Sequence, residues 1–208
     1  MKPLSILVSF GLLASSGRVV NFDSAQVGRA PSGWTFEDTN RGASGRWEVR
    51  KDQTAPTQPY VLAQIANASG DHCPLAIYDA LTLRDGDISV RIKALSGHDD
   101  QVGGVVFRYR DAGNYYLARE NALTHNVALF KVQNGQVRQI TPTIPHDISP
   151  NTWNILKVSV RGSRFQVYMN HRRILQAWDR TFDGWGKVGL WTKADSITYF
   201  DDFRVYPK

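Results

Sequence analysis

Apolar and polar residues alternate along much of the chain, and the alternation is clearest between residues 102 and 132. This stretch predicts three consecutive antiparallel strands, VGGVVFRYR, NYYLAREN and NVALFKV, because alternate side chains of a strand point to opposite faces. Residues 111–113 form the first predicted turn, and residues 122–125 form a looser second one. Each strand therefore has one face for a core and a second face that is open to another use.

Short strands separated by turns make up the rest of the chain. Asn134-Gly135, between LFKVQ and QVRQI, predicts a tight hairpin because both residues tolerate a positive φ. Residues 162–163 and 170–171 predict two further hairpins. No helical period persists for more than a few residues, so the pattern indicates an all-β fold, a sandwich or jelly roll of antiparallel sheets.

The first residues, MKPLSILVSFGLLASSG, have the layout of a secretory signal peptide, with a basic start, an apolar run and small residues such as Ala14 and Ser16. The apolar run is shorter than the roughly 20 residues that a membrane-spanning helix needs. We therefore expect a signal peptide at 1–16, a single domain at 17–208, no transmembrane segment after cleavage, and a secreted or periplasmic protein. A first buried strand is the alternative interpretation of the leader.

Composition narrows the class of partner. A length of 208 residues with 42% hydrophobic residues is sufficient for one core. The net charge of +6 is distributed along the strands and not concentrated in basic runs, which argues against a nucleic-acid partner. The single cysteine, Cys73, cannot form an intramolecular disulfide, and the apolar residues after it predict that it is buried. The sequence does not determine the oligomeric state.

Four segments carry a resemblance to a known fold family: GDISVRIK, GGVVFRYRDAGNYYLAR, WNILKVSVRGSRFQVYMN and GKVGLWTKADSITYFDDFRV. They resemble the concanavalin A-like and laminin-G-like jelly-roll domains of exported bacterial proteins, and within that group the 3-keto-disaccharide hydrolase family, a former domain of unknown function. The resemblance covers essentially residues 17–208. It implies a concanavalin A-like jelly-roll sandwich of two antiparallel sheets, whose first and last strands lie side by side, and it suggests hydrolysis of a keto-sugar.

The polar positions of the central strands suggest a carbohydrate-binding face. Sugar sites combine an aromatic ring with side chains that hydrogen-bond to pairs of hydroxyl groups. We expect the polar residues to share one sheet face with an aromatic residue alongside, and the predicted ligand-binding residues are Arg108, Arg110, Tyr115, Arg119, Asn121, Lys131, Trp191 and Lys193. In the alternative interpretation Trp191 belongs to the core and the arginines form cross-strand pairs.

A glycoside or keto-disaccharide hydrolase is the principal alternative function. Its acid and base would come from Asp99 and Asp100, in the segment SGHDDQVGG, or from His125. The three glutamates do not form the paired-carboxylate pattern of laminarinase-type enzymes. A polysaccharide lyase would need a Gln-Ile-His strand that the sequence lacks, and a structural or adhesive module is a further alternative.

A structural calcium ion is a further hypothesis. Calcium takes six to eight oxygen ligands in proteins. Asp23 beside the first strand and Asp201 and Asp202 on the last strand are expected to meet where the two ends of the domain come together. No zinc-ligand spacing is present in the sequence.

Overall fold

The computed structural model describes residues 17–39, 45–67 and 70–208, and the predicted signal peptide lies outside them. Strands are the regular structure of this part of the chain, and none of its residues is helical. In chain order the strands are β1 (Arg18–Val20), β2 (Trp34–Asp38), β3 (Trp47–Lys51), β4 (Tyr60–Gln64), β5 (Pro74–Leu83), β6 (Gly86–Ser96), β7 (Val102–Asp111), β8 (Asn114–Asn121), β9 (Asn126–Gln133), β10 (Gln136–Gln139), β11 (Ile144–Pro145), β12 (Asn154–Arg161), β13 (Arg164–Met169), β14 (Arg172–Trp178), β15 (Gly186–Trp191) and β16 (Ile197–Pro207).

The strands form two antiparallel sheets, as the sequence predicts. Sheet I has the order β14-β13-β12-β6-β16-β4-β3, and β1 also pairs with β16. Sheet II has the order β10-β9-β8-β7-β15-β5-β2, and β11 also pairs with β9. Val20 of β1 lies opposite Phe203 of β16, so the expected pairing of the first and last strands is confirmed.

The turns fall where the sequence places them. Asn134 and Gly135 join β9 to β10 with φ angles of 53° and 76°, the left-handed conformation that a tight hairpin needs. Asn170 and His171 join β13 to β14 in the same way, with φ angles of 46° and 71°. The central strands β7, β8 and β9 are consecutive and antiparallel.

The main core lies between the sheets and is built by alternate residues of their strands. In β6 the core residues are Ile88, Val90 and Ile92. In sheet II the ring of Phe107 lies 5.2 Å from that of Tyr116, and both rings pack against Phe165 of sheet I. Burying side chains of this size contributes about 1.5–3 kcal/mol each, so this core holds the two sheets together.

A second hydrophobic cluster lies on the other face of sheet II, away from sheet I. It comprises Cys73, Leu75, Ile77, Val102, Val106, Tyr109, Tyr115, Leu117, Val132 and Trp191. The hydroxyl of Tyr109 donates to Glu37 at 2.5 Å, and Tyr115 shares a hydrogen bond of 2.6 Å with Thr39. Cys73 is a buried free thiol, as predicted. The outer face of sheet II is therefore largely apolar, and its side chains are closely packed. Such a face can form one wall of a binding site.

Candidate functional site

A cavity of about 410 Å³ lies against the second hydrophobic cluster of sheet II. This volume falls within the range of small-ligand sites, roughly 300–1,000 Å³. Its lining residues are Asp71, Cys73, Asp100, Val102, Leu117, Arg119, Phe130, Gly135, Val137, Trp191 and Lys193. We call it the sheet II cavity. Five strands contribute to it directly, so its shape depends on the sheet and not on a single loop.

One wall of the sheet II cavity is a connected polar network centred on Asp100. The Nζ atom of Lys193 donates to Oδ2 of Asp100 at 3.0 Å, and the side-chain amide of Asn121 donates to Oδ1 at 3.0 Å. Burial acts to lower the pKa of Lys193, but the hydrogen bond and charge of Asp100 outweigh it and raise that pKa. The ammonium therefore stays protonated and can donate its other protons to a ligand.

Asp195 holds this wall in place. Its carboxylate accepts hydrogen bonds from the backbone N–H groups of three successive residues, His98, Asp99 and Asp100. Burial acts against the charged form, yet these N–H groups lower the pKa of Asp195 below its usual value. The loop also requires glycine at position 97, because a Cβ atom there would lie 1.8 Å from the carbonyl oxygen of Asp100.

Arg119 forms a second polar element of the cavity. Its guanidinium donates to Oδ1 of Asn126 at 2.7 Å, and its Cζ lies 5.5 Å from the centre of the Phe130 ring. Burial lowers the pKa of Arg119, and the nearby charge of Asp100 acts in the opposite direction. An arginine fixed on an aromatic ring keeps its planar donor groups in one orientation, which suits a ligand with paired oxygens.

The remaining wall is apolar. Trp191, Leu117 and Phe130 line it, and only 4% of Trp191 is exposed. Burial, with a further contribution from Asp38, raises the pKa of the Cys73 thiol to about 12, so this thiol is neutral and acts as part of the apolar surface. The cavity therefore places an aromatic and aliphatic wall beside a wall of charged donors and acceptors.

Of the eight predicted ligand-binding residues, the structure brings four together. Arg119, Trp191 and Lys193 line the cavity, and Asn121 contacts Asp100 behind it. Tyr115 lies in the hydrophobic cluster beneath, fully buried, where burial raises the pKa of its hydroxyl. Ligand binding by these residues stays a prediction.

The expected location of Arg108 on the same face is wrong. The ladder between β7 and β8 is irregular between Phe107 and Asp111, and Arg108 has a φ of 48°. This bulge turns the side chain toward the edge of the main core, where its guanidinium donates to the carbonyl oxygens of Phe182 at 2.8 Å and Gly162 at 2.6 Å. Arg108 therefore ties loops together at one end of the sandwich.

Lys131 and Arg110 also lie away from the sheet II cavity. Lys131 shares its strand face with the core residue Leu129, and its Nζ donates to Asp179 at 2.8 Å. The guanidinium of Arg110 lies 5.2 Å from the ring of Phe182 and donates to the carbonyl oxygen of Asp183. Their predicted placement beside Arg119 is therefore wrong as well.

The residues considered for acid–base chemistry are not assembled into one site by any contact in the described part of the chain. Asp99 is exposed and accepts a hydrogen bond from His98, whose side chain is also exposed. His125 is exposed and lies 3.8 Å from Asp147. Asp100 alone of the three lines the cavity. A catalytic role for Asp99, Asp100 or His125 stays a prediction.

The three aspartates considered for calcium bind protein groups instead. Asp23 accepts a hydrogen bond from the backbone of Tyr60, and both oxygens of Asp201 accept bonds from Thr57, so they hold one loop, residues 52–60. Asp202 forms a two-bond ion pair with Arg204. Within residues 17–39, 45–67 and 70–208, no group of three or more His, Cys, Asp or Glu side chains is arranged to hold a metal ion. The three aspartates therefore do not assemble into the predicted calcium site, and a structural calcium ion stays a prediction.

No family model matches the chain, so the narrower resemblance to keto-disaccharide hydrolases stays a prediction. The levanase of Bacillus subtilis is 32% identical over 108 residues, which are 51% of this chain and 15% of the levanase. The chain thus spans a small part of that enzyme's length.

Solved structures settle the fold. The carbohydrate-binding module CBM66 from Bacillus subtilis superimposes with a TM-score of 0.65 and 26% identity, covering 83% of this chain and 94% of the module. The exoplasmic domain of VIP36, solved with Ca²⁺ and mannose, gives a TM-score of 0.62 at 9% identity, covering 92% and 89% of the two chains. The chain is a concanavalin A-like jelly roll. At 9% identity the VIP36 comparison shows similarity of the fold alone.

Proposed function

We propose that this protein is a carbohydrate-binding jelly-roll module and that the sheet II cavity holds a sugar unit. The observation that carries the proposal is the pairing of opposite chemistries in one cavity. The partly buried Phe130, with Leu117 and the small exposed part of Trp191, offers apolar surface for a sugar ring. Arg119, Lys193 and Asp100 offer donors and acceptors for its hydroxyl groups. The similarity to CBM66, which covers nearly all of that module, supports the same class.

The charges in the sheet II cavity favour a neutral sugar. Arg119 and Lys193 contribute two positive charges, and Asp71 and Asp100 contribute two negative ones. A uronate or sulfate group would gain attraction from the first pair and repulsion from the second. Because the matching enzyme is named a levanase, levan and its oligosaccharides are the first ligands to test.

A hydrolase is the second function to consider, because two carboxylates, Asp71 and Asp100, line the same cavity. A glycosidase needs one carboxyl group that delivers a proton and a second that acts as nucleophile or base. Both oxygens of Asp100 already accept hydrogen bonds, from Lys193 and Asn121. This arrangement suits a fixed acceptor for hydroxyl groups better than a proton donor, so we place binding ahead of hydrolysis.

The test is incubation of the mature protein with a panel of neutral, uronic and oxidised saccharides, including levan, while melting temperature and new reducing ends are followed together. We expect a rise in melting temperature with a neutral saccharide and no product, because a ligand that binds only the folded state stabilises it. New reducing ends that disappear in the Asp100→Asn variant would establish a hydrolase instead. No stabilisation by any saccharide would contradict the proposal.

We also propose that the protein acts outside the cytoplasm, since the leader has the composition of a signal peptide and a polymeric carbohydrate is encountered there. No helix of the described residues is long and apolar enough to cross a membrane. Mass spectrometry of the protein recovered from its host checks this point: cleavage near residue 16 is expected, and an intact leader would contradict it.

The predicted calcium requirement has its own test. Repeating the melting measurement with a chelator and then with added Ca²⁺ shows whether a calcium ion stabilises the fold.

A further inference from the structure

The outer face of sheet I carries three cross-strand rows on β12, β13 and β14. The pairing register places in successive rows Arg161, Arg164 and Trp178, then Ser159, Gln166 and Gln176, then Lys157, Tyr168 and Arg173. The intervening residues, such as Val158, Phe165 and Ala177, belong to the core between the sheets. The ladder between β13 and β14 shifts between Val167 and Tyr168, and this bulge brings the exposed Arg173 opposite Tyr168. The nine residues therefore lie on the outer face of sheet I, on the side of the sandwich opposite the sheet II cavity, and we call them the β12–β14 face.

Positive charge on the β12–β14 face is only partly neutralised. Lys157 and Arg161 both form ion pairs with Asp87, at 3.2 Å and 2.7 Å. Arg164 and Arg173 are exposed, and no ion pair with a described carboxylate is formed by either. Two arginines on adjacent strands thus have their guanidinium groups available to an external anion.

The same face exposes groups that suit a sugar. Trp178 is 62% exposed on the edge strand, directly opposite Arg164. The side chains of Gln166 and Gln176 are joined by a 2.8 Å hydrogen bond and present amide groups beside it. Charged residues on an edge strand discourage pairing with other sheets, which would explain the arginines alone. That explanation does not account for an indole ring left in water next to them.

We propose that the β12–β14 face is a second glycan-binding surface and that its ligand is an acidic polysaccharide. The arginines would pair with carboxylate or sulfate groups, the indole of Trp178 would stack on a sugar ring, and the two glutamines would bind hydroxyl groups. A membrane surface would call for several exposed apolar side chains, and Trp178 is surrounded by polar ones. This inference goes beyond the proposed function, because the surface, the sheet and the charge of the ligand are all different.

The test measures binding of the full chain to polygalacturonate by affinity electrophoresis, with dextran as the neutral control. We expect Arg164→Ala combined with Arg173→Ala to weaken binding about tenfold, since two charge-assisted contacts are lost. Trp178→Ala should weaken binding by about fivefold, through lost stacking. The matched control, Arg29→Ala with Arg138→Ala, removes the same charge from exposed positions outside this face and should change binding less than about twofold. All variants change exposed side chains, and their melting temperatures confirm folding.

Three results would overturn the inference. The wild-type chain could fail to distinguish polygalacturonate from dextran, or the control pair could weaken binding as much as the test pair, which would mean that only net charge matters. Equal or stronger binding of duplex DNA or anionic lipid vesicles, with the same dependence on Arg164 and Arg173, would assign the face to another class of partner. Arg119→Ala separates the two sites, because it should leave polygalacturonate binding unchanged whether or not the sheet II cavity binds a neutral sugar.

Discussion

The carboxylate of Asp195 accepts a 3.1 Å hydrogen bond from the backbone N–H of Asp100, although the two residues lie 95 positions apart in the sequence. The same carboxylate binds the two preceding N–H groups, so one buried side chain fixes a whole loop. Asp100 in turn positions Lys193 and Asn121. The polar wall of the sheet II cavity therefore depends on a residue that does not itself line the cavity.

Replacing Asp195 should damage stability and binding together. Asp195→Ala leaves three partly buried N–H groups without their acceptor, and we expect a loss of about 1–3 kcal/mol in the free energy of unfolding. Asp195→Asn keeps one acceptor oxygen and should lose less. Urea unfolding measures the first effect, and saccharide titration of the still-folded Asn variant measures the second. An Asn variant with reduced stability but unchanged affinity would show that the loop does not position the site.

Replacing Arg108 should affect stability, and replacing Arg119 should affect saccharide binding, although both arginines are predicted ligand-binding residues. Arg108→Ala removes a buried guanidinium from several carbonyl oxygens, so we expect a loss of about 2–4 kcal/mol in stability with no effect on saccharide affinity. Arg119→Ala should cost little stability and weaken saccharide binding at least about tenfold. Thermal melts and calorimetric titrations of both variants decide this. Loss of affinity in the Arg108 variant at a temperature where it is fully folded would contradict the assignment.

Glu120 should make stability depend on pH. It is buried in sheet II with neither carboxyl oxygen hydrogen-bonded to a described residue, and burial raises its pKa from 4.5 to about 8. Between these values the folded state keeps a proton that the unfolded chain releases, so its contribution to stability is complete below pH 4.5 and is lost as the pH rises toward 8. The slope is at most about 1.4 kcal/mol per pH unit.

The matched variant for this effect is Glu120→Gln, which has the same shape and no titratable group. Urea unfolding of both proteins at pH 5, 6, 7 and 8 isolates the contribution of Glu120, since the other titrating groups are common to both. We expect the free energy of unfolding of the variant to increase relative to that of the wild type as the pH rises. Parallel stability curves would show that Glu120 titrates normally in the folded state.

The sequence predicted what depends on local pattern. Alternation predicts one shared face of β8 for Arg119 and Asn121, and the structure places both on the cavity side of that strand. Asn134-Gly135 specified its hairpin because the turn conformation is a property of those two residues. The jelly-roll fold predicted from the sequence agrees with the solved structures, and the predicted carbohydrate-binding class agrees with the similarity to the CBM66 module.

Features that depend on distant parts of the chain could not be predicted. Assigning residues to alternate faces assumes a regular strand. The bulge after Phe107 moves the side chain of Arg108 from the outer face of sheet II to the edge of the main core. Lys131 is predicted to share a sheet face with Arg119, but its strand parity matches that of the core residue Leu129, and it pairs with the core residue Tyr116. Asp195 is not among the predicted site residues, because its role appears only when the segment between β15 and β16 lies beside the loop at residues 97–100.

Saccharide titration of the Arg119→Ala, Lys193→Ala double variant tests the central claim most directly. Calorimetry with the saccharide that stabilises the wild type in the panel gives both affinities under one set of conditions. We expect the double variant to melt within a few degrees of the wild type and to bind at least about tenfold more weakly, because it loses two charged donors that face the cavity. Unchanged affinity in a folded double variant would place the sugar site elsewhere on the sandwich.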